Sequence, residues 1–423
     1  MTATAATDRF GNPVDAAVGY ARGQIIRGSF DELRRRAHAL ALLRSRVESK
    51  GRNSIYNFTG HHREFIARSD DIAARLAEEW VGQSMTEPEL VERARAHMGA
   101  VADNTAAVFN RSSACIVALL LAIAPPGAQI LSIAPKRRSH VSVRRGAQLA
   151  GAKLLEADPS VPIDWTALTN CPLVLLTRVT SELDLMPTAL ARSLIGSGRA
   201  AGMLTFVDDA YGAQLCPHVL GDPRTMELGA HASVTSCDKA GLLGPRAGLM
   251  VGEPEMVQRV LAKASEIGLE GRAVVALGVL QALRSFDAAA LKEDCQVAKT
   301  LVVALAERLG ATVVQSTIMG PTISEEDVLA IALERAELQR SPLVPAEATC
   351  ALAMDLMEEH GFLTSNVAER PGARVSLRLR TLARDIARFG GVERVAVAID
   401  KALTGVRRYL RDPALARTRL IGA

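Results

Sequence analysis

Apolar runs and amphipathic stretches alternate through the middle of the chain, and they predict strands and helices in turn. Strands are predicted at residues 128–133, 152–155 and 173–178, where most side chains are apolar. Helical spacing occupies residues 141–149 and 185–198. Because strands that alternate with helices pair in parallel, this region predicts an α/β fold in which helices cover the faces of a parallel sheet.

The segment 205–252 contains three further apolar runs with polar residues at their ends. The first runs into the paired acids of Thr-Phe-Val-Asp-Asp-Ala-Tyr, which contains Asp208 and Tyr211. The second ends in Ser-Cys-Asp-Lys, which closes on Lys239 before a glycine-rich turn, and the third is residues 247–251. Ligands of parallel sheets gather at the carboxyl ends of the strands. The three side chains are therefore expected to meet in one place.

Changes of pattern divide the chain into three predicted domains. Residues 1–54 form an N-terminal segment, which is expected to be loosely held up to about residue 22 and helical over 31–50. Residues 55–286 carry the alternating pattern and form the large domain. Residues 287–423 are predicted to form a smaller C-terminal α/β domain, in which helices alternate with isolated strands. Two of those strands are predicted at 311–315 and 373–379.

Composition narrows the classes of protein that fit. With 423 residues, 48% of them apolar and 23% charged, the chain can bury a sizeable core, and its net charge of +4 is too small to indicate nucleic-acid binding. The 6 cysteines lack zinc-site spacing, so no metal is expected, and they are typical of reduced thiols in a cytoplasmic protein. The longest apolar run, residues 114–124, is about half a membrane span, so no membrane association is expected.

The polar residues of segment 205–252 have the chemistry that pyridoxal phosphate requires of a protein. Lys239 is the candidate for the imine-forming amine, the alternative being an ordinary loop lysine. A carboxylate beside the pyridine nitrogen deepens the electron sink. Because adjacent strand residues point to opposite faces, only one of Asp208 and Asp209 can supply it, and we choose Asp208. Tyr211 is expected to tune the imine, with a core or interface tyrosine as the alternative.

A phosphate site is expected at the start of the apolar helix 114–124. Arg111, Ser112 and Ser113 stand just before it, and the free N–H groups of a helix start favour an anion. The alternative is a plain N-cap, which is a frequent role of serine. Ser236, at the end of the second apolar run, is a further candidate donor to the phosphate.

These motifs resemble those of a known superfamily. Asp-Asp-Ala-Tyr followed by Ser-x-x-Lys resembles the fold-type I pyridoxal-phosphate enzymes, the aspartate aminotransferase superfamily. The loop ending in Arg-Ser-His140 is similar to the region whose histidine or aromatic residue lies over the cofactor ring, and a structural histidine is the alternative. The resemblance covers roughly residues 55–420. It implies a mainly parallel seven-stranded sheet with helices on both faces, a smaller C-terminal domain, and a homodimer or larger homo-oligomer.

A narrower resemblance joins Asn-Phe-Thr-Gly, Phe-Asn-Arg-Ser-Ser-Ala and the segment around Lys239 to the selenocysteine synthase group. That group includes L-seryl-tRNA selenium transferase, archaeal relatives and sugar-acid ammonia lyases. Two positions depart from it, because Cys237 stands where the bacterial transferases have glycine and Arg246 where they have glutamine. Gly-Pro-Arg-Ala-Gly is instead similar to a turn of glycine hydroxymethyltransferases, in which the arginine would meet phosphate or a substrate carboxylate. The substrate therefore stays open.

Several cationic residues are candidates for binding the substrate. Arg374 resembles the C-terminal arginine that binds the substrate carboxylate in many fold-type I enzymes, and a bidentate guanidinium suits that group. The alternative is an exposed basic strand edge. His61, His62 and Arg63 follow a glycine and are suited to an anionic substrate, with a surface loop as the alternative. Arg246 is the remaining candidate.

The resemblance implies a reaction on an amino acid or an aminoacyl group. Lys239 would take the proton from Cα, and a substituent would then be lost or replaced at Cβ. An aminotransferase, an aldolase-type enzyme and a decarboxylase, with or without oxygen, pass through a similar carbanion and stay open. A tRNA-binding protein without catalysis is the alternative from another class. Its support is the arginine-rich residues 31–50, 136–138 and 407–419.

Overall fold

The structure, a computed structural model, describes residues 6–16, 18–61, 70, 78–137, 139–368, 371–373 and 375–422. The chain divides into two compact units. The sheet unit is His61–Lys292, and the terminal unit combines Met1–Gly60 with Glu293–Ala423. The N-terminal segment and the C-terminal domain, which the sequence analysis separates, thus belong to one unit. The boundaries at residues 54 and 286 stay predictions.

The sheet unit is built on one sheet of 7 strands. In chain order, the strands of the protein are β1 Val14–Asp15, β2 Tyr20–Ala21, β3 Tyr56–Asn57, β4 Thr105–Phe109, β5 Gln129–Ile133, β6 Lys153–Ala157, β7 Leu173–Thr177, β8 Leu204–Asp208, β9 Ala232–Ser236, β10 Gly248–Gly252, β11 Gln315–Thr317, β12 Gly320–Ile323, β13 Phe362–Leu363 and β14 Leu377–Arg378. The large sheet has the order β4-β10-β9-β8-β7-β5-β6. β10 is antiparallel to β4 and β9, and the other neighbours are parallel. This mainly parallel sheet confirms the predicted α/β fold.

The helices that follow the strands complete the α/β alternation. They are α1 Ser29–Lys50, α2 Glu79–Met98, α3 Ser112–Ile123, α4 Val141–Leu149, α5 Thr188–Ala200, α6 Gly212–Leu215, α7 Pro254–Glu266, α8 Ala273–Arg284, α9 Ala288–Leu309, α10 Glu325–Ala336, α11 Pro345–Asp355, α12 Ser365–Ala368, α13 Ala383–Phe389, α14 Val392–Gly405, α15 Arg407–Arg411 and α16 Pro413–Ile421. Across the described ranges, no single helix is long and apolar enough to cross a membrane, and only α8 with α9 passes by length and composition, as a bent pair.

One face of the large sheet packs against the apolar helix α3. Leu119 and Leu120 of α3 are fully buried, in one cluster with Leu175 of β7, Phe206 of β8 and Val234 of β9. Leu175 and Phe206 are also partners in the register of β7 and β8. Because side chains along a strand alternate between faces, these residues mark the positions that point to α3. We call this side of the sheet the α3 face.

The opposite face is covered by other helices. Val174 of β7 and Val207 of β8 pack with Ala191 and Ile195 of α5. Near β4 and β10, helices α2 and α8 bury their apolar positions against the same side of the sheet. Helices therefore cover both faces, as the sequence predicts, and the strand ends are left to carry the polar residues.

The terminal unit has its own apolar core, which α10, α11 and α14 build around Phe58 and Phe362. Its strands form a three-stranded antiparallel sheet in the order β11-β12-β14 and a parallel pair of β3 with β13. The strand predicted at 311–315 is wrong in position. Residues 311–314 form a turn or bend, and the strand is Gln315–Thr317, which pairs with Gly320–Ile323 in a hairpin.

The expectation that the chain is loose up to about residue 22 is also wrong for its described part. Tyr20 is 7% exposed, and its hydroxyl donates to Glu32 Oε1 at 2.6 Å. Just beyond, the N–H groups of Ile25 and Ile26 donate to Glu347 Oε1 at 2.7 and 2.8 Å. The segment is held by carboxylates of other elements, Glu32 of α1 and Glu347 of α11, so its local sequence pattern does not show these contacts.

Candidate active site

A row of polar side chains stands at the carboxyl ends of β7, β8 and β9. Thr177, Asp208 and Ser236 are the last residues of these strands. Leu175 and Phe206 lie two residues before Thr177 and Asp208 and point to the α3 face. The alternation of a strand therefore places Thr177 and Asp208 on the α3 face as well, where an apolar core gives way to polar groups.

Asp208 is a buried carboxylate with an unusual acidity. It is 6% exposed and accepts the backbone N–H of Ala210. Burial raises the pKa of Asp208 from 3.8 to about 6, the charge of Lys239 opposes that rise, and the charge of Asp209 adds to it. The positive charge of Lys239 thus does not fully offset the effect of burial on the pKa of Asp208.

The neighbouring acid, Asp209, has different partners. It is fully buried, and its Oδ2 accepts the hydroxyl of Thr225 at 2.6 Å and Nη1 of Arg178 at 3.4 Å. Arg178 is itself fully buried and donates a second hydrogen bond to Pro223 O at 2.9 Å. Asp209 is therefore bound by residues of the protein interior, which leaves Asp208 as the acid available to a ligand.

The amine of Lys239 lies against an aromatic ring. Its Nζ is 4.4 Å from the centroid of the Tyr211 ring, a distance at which an ammonium is attracted to the ring face. The hydroxyl of Tyr211 is 3.5 Å from Nε2 of His61, and His61 also forms an isolated antiparallel bridge with Lys239. Lysine, tyrosine and histidine thus form one cluster.

A tight turn presents Lys239 at the end of β9. Ala240 and Gly241 have φ angles of 48° and 86°, the left-handed conformation that favours glycine. The N–H of Gly244 donates to Cys237 O at 2.9 Å, and a Cβ on Gly244 would lie 2.7 Å from that oxygen. The glycine-rich sequence is therefore needed to fold the chain back into β10.

Two serine hydroxyls meet at the start of α3. Ser236 Oγ donates to Ser112 Oγ at 3.1 Å, and Ser113 follows in the first turn. Arg111 is the N-cap residue, and its side chain makes no capping hydrogen bond. A Cβ on Gly248 would lie 2.5 Å from Ser112 N, so this glycine lets the helix start approach the sheet closely. The arrangement suits a phosphate, because N–H groups and hydroxyls converge there.

His140 is the N-cap of α4. Its Nδ1 accepts the N–H of Ser142 at 3.3 Å and lies 2.6 Å from the Ser142 hydroxyl. One ring nitrogen of His140 therefore has a structural role at the start of α4. Its expected place over a cofactor ring stays a prediction.

The candidates for substrate binding are only partly described. His61 belongs to the lysine cluster, and Arg246 is half-buried in the turn before β10. His62, Arg63 and Arg374 lie outside the described residues. The structure therefore joins His61 to the site and leaves the other three as predictions.

The strand predicted at 373–379 is shorter than expected, because only Leu377–Arg378 forms β14. Beyond it, Arg380 is 1% exposed, and its Nη1 donates to Thr317 Oγ1 at 3.1 Å and Thr322 Oγ1 at 3.0 Å. The Arg380 side chain therefore binds hydroxyl groups of β11 and β12. The alternative of an exposed basic edge concerns Arg374, which lies outside the described residues, and it stays open.

Sequence reasoning missed two residues beside Asp208. Thr177 ends β7 next to it, and Cys115 of α3 is fully buried, with a pKa raised by burial and then by the charge of Asp208. A signal for Thr177 existed, since Leu173 and Leu175 point to the α3 face and the next such position is polar. Cys115 lies in an unbroken apolar run, which gives no such signal.

The residues present fit pyridoxal phosphate. Lys239 supplies an amine for its aldehyde, Ser112 and Ser236 supply hydroxyls at a helix start for its phosphate, and Asp208 supplies a carboxylate for its ring nitrogen. Within the described ranges, no group of three or more His, Cys, Asp or Glu side chains is placed to hold a metal ion.

Comparisons with known proteins agree with this fit. No protein-family model matches the chain. A protein of Methanothermobacter thermautotrophicus, described as a "UPF0425 pyridoxal phosphate-dependent protein", is 31% identical over 399 residues, which are 93% of this chain and 98% of that protein. A probable N-succinyldiaminopimelate aminotransferase from Thermus thermophilus has a similar fold, with TM-score 0.56 and 17% identity over 86% of this chain and 99% of its own.

A chain of the SepCysS–SepCysE N-terminal domain complex is similar in fold too, with TM-score 0.55 and 15% identity over 85% of this chain and 99% of its own. These likenesses and the seven-stranded sheet show an aminotransferase-like fold of type I. The high coverage of the methanogen protein shows the family. The chain belongs to the UPF0425 family of pyridoxal phosphate-dependent proteins.

Proposed function

We propose that the protein is an enzyme that removes the Cα proton of an amino acid or aminoacyl group and eliminates or replaces a substituent at Cβ. This is the reaction type of the selenocysteine synthase group that the sequence resembles. The observation that carries the proposal is the Lys239 amine, which lies 4.4 Å from the centroid of the Tyr211 ring and near enough to the buried acid Asp208 for its charge to lower the pKa of that acid. An amine so placed is suited to bind the cofactor's aldehyde and then to move a proton.

Each end of the cofactor has residues to hold it. Lys239 would hold the aldehyde carbon, Asp208 the ring nitrogen, and Ser112, Ser113 and Ser236 the phosphate, with Arg111 beside them. When bound, the cofactor supplies an electron sink for negative charge that develops at Cα. His140 would cover one side of the ring.

The cluster around Lys239 is suited to transfer protons from Cα and to the group that leaves Cβ. Once the substrate amine has taken its place, Nζ of Lys239 is the base that takes the Cα proton. The face of the Tyr211 ring stabilises the resulting ammonium. The Tyr211 hydroxyl, which is 3.5 Å from His61 Nε2, gives a proton to the group that leaves Cβ, and His61 replaces it.

The proposed substrate has a carboxylate, and four cationic or titratable side chains are proposed to bind it. Arg374 is the first candidate, followed by Arg246, His62 and Arg63. We further propose a homodimer, since active sites of the resembled enzymes lie between two subunits. Sedimentation of the purified protein at one subunit's mass would contradict that.

Borohydride reduction of the protein loaded with pyridoxal phosphate tests the lysine. We expect a visible absorbance band that the reductant abolishes, and a cofactor mass on the peptide that contains Lys239. Lys239→Ala should lose both, whereas Lys263→Ala should keep them, because Lys263 pairs with Glu266 on the surface of α7. A label on another lysine, or none, would contradict the assignment.

A product screen tests the reaction. Amino acids with a leaving group at Cβ should yield a keto acid and ammonia, and added nucleophiles should divert them to a substituted amino acid. Transfer of the amino group to an added keto acid would instead make the protein an aminotransferase. Release of carbon dioxide would make it a decarboxylase, and binding of tRNA without turnover would remove the enzyme proposal.

A further inference from the structure

Thr177 is a buried hydroxyl without an evident structural role. It is the last residue of β7 and is 3% exposed. Among the residues that the structure describes, none offers a hydrogen-bond partner to its Oγ1. A buried hydroxyl without a partner destabilises a fold, so a polar residue at such a position calls for an explanation.

The register of the sheet places this hydroxyl beside the acid of the active site. Thr177 and Asp208 are partners in the parallel pair of β7 and β8. Partners in a parallel ladder project to the same face of the sheet, and for this pair it is the α3 face. Leu175 and Phe206, which lie two residues earlier on the same face, are fully buried, so water cannot reach the hydroxyl along that face from within the sheet.

Asp208 has room for another donor. An ionised carboxylate has two oxygens with about four acceptor positions, and the N–H of Ala210 occupies one of them. Burial favours the neutral form of this acid and raises its pKa to about 6. A hydrogen bond donated to the carboxylate favours the charged form, which is the form that pairs with a protonated ring nitrogen.

We propose that Thr177 is a positioning residue. The structure does not form a hydrogen bond between its hydroxyl and Asp208, and the proposal is that this bond forms when the cofactor binds: the hydroxyl then donates to one carboxylate oxygen of Asp208 while the other oxygen binds the cofactor's ring nitrogen. The proposal rests on the role proposed above for Asp208. Thr177 does not touch the reacting atoms. It orients the Asp208 carboxylate and keeps it ionised when the ring is bound. It thereby lowers the dissociation constant of the cofactor.

Two substitutions separate this role from a structural one. Thr177→Val removes the hydroxyl at nearly constant shape, and Thr177→Ser keeps it. Thr86→Val is the matched control, since Thr86 of α2 is 1% exposed and its Oγ1 likewise has no partner among the described residues. Both valine variants remove an unpartnered buried hydroxyl, and only one of them lies beside Asp208.

The measurements are urea unfolding of the cofactor-free protein, the dissociation constant of pyridoxal phosphate, and the pH dependence of the bound cofactor's absorbance. Thr177→Val should unfold at the wild-type urea concentration or above, yet bind the cofactor roughly tenfold more weakly, as expected for one hydrogen bond to a charged group. In Thr177→Val, the pKa of the cofactor's ring nitrogen, followed through the absorbance, should be lower than in the wild type. Thr177→Ser should restore both, and Thr86→Val should change neither.

The outcomes are distinguishable. An unchanged dissociation constant in Thr177→Val, or one weakened only in proportion to lost stability of the cofactor-free protein, would overturn the proposal. If Asp208→Asn weakens the cofactor and Thr177→Val does not, this inference alone fails. If Asp208→Asn changes nothing, the role of Asp208 fails first. In the Asp208→Asn background, Thr177→Val should have no further effect, because the hydroxyl acts through that carboxylate.

Discussion

Replacing Asp208 by asparagine should stabilise the cofactor-free protein while it weakens the cofactor. Burial raises the pKa of Asp208 in the folded state, so the folded protein binds this proton more tightly than the unfolded chain does. The stability that the protonated acid contributes is fully present below the unfolded pKa. It is lost as the pH rises through the folded pKa, because the charge must then be carried in a desolvated pocket.

The size of this effect follows from the shift. The pKa rises from 3.8 to about 6. At 1.36 kcal/mol per pKa unit, the free energy of unfolding of the wild type should fall by about 2 kcal/mol between pH 4 and pH 7 through this group alone, because pH 4 already lies just above the unfolded pKa. An asparagine side chain cannot ionise, so Asp208→Asn should lack this loss. The difference between the two proteins should therefore grow by about 2 kcal/mol over that range.

Urea unfolding of both cofactor-free proteins, followed by circular dichroism at the two pH values, measures the difference. Taking the variant minus the wild type cancels the other titrating groups. With cofactor bound, the stability that Asp208→Asn gains over the wild type should shrink or reverse, because the protonated ring nitrogen then stabilises the charged form of Asp208. A difference that stays constant within about 1 kcal/mol would refute the reasoning, since it would mean that Asp208 ionises alike in both states.

Two further predictions concern the surroundings of the site. Arg178→Met should lower the free energy of unfolding by about 3–5 kcal/mol, because it leaves the Asp209 carboxylate buried without its cation, and an unchanged urea midpoint would contradict this. Gly248→Ala should weaken the cofactor roughly tenfold, as measured by equilibrium dialysis, because overpacking against Ser112 N costs about 1–3 kcal/mol. Gly196→Ala in α5, where an added Cβ meets nothing within 4 Å, is its control and should bind the cofactor as the wild type does.

Local periodicity was enough to predict much of the sheet unit. The helix predicted at 141–149 is Val141–Leu149, and the strand predicted at 173–178 is Leu173–Thr177. Both depend on side chains that face a core, and the spacing of such residues is written in the sequence itself. The cofactor was also predictable, because Lys239 and its neighbours are a contiguous motif.

Pairings between distant residues were beyond the sequence. Nothing local shows that Gly248 lies opposite Phe109, so the antiparallel insertion of β10 beside β4 could not be predicted. The partner of Tyr20 is a carboxylate on another element, which is why its segment was expected to be loose. His140 illustrates a third limit, since one residue type serves equally as an N-cap and as a cover for a ring.

The division of the chain allows one unit to form before the other during synthesis. The terminal unit takes its N-terminal portion from Met1–Gly60 and completes itself only with Glu293–Ala423. The N–H of Ile25 donates to Glu347, so this contact can form only after the whole sheet unit has been synthesised. The sheet unit, which is continuous, can close first as the chain leaves the ribosome. A chain truncated just before residue 347 would thus contain every residue of the sheet unit and would lack the carboxylate that binds the N–H groups of Ile25 and Ile26.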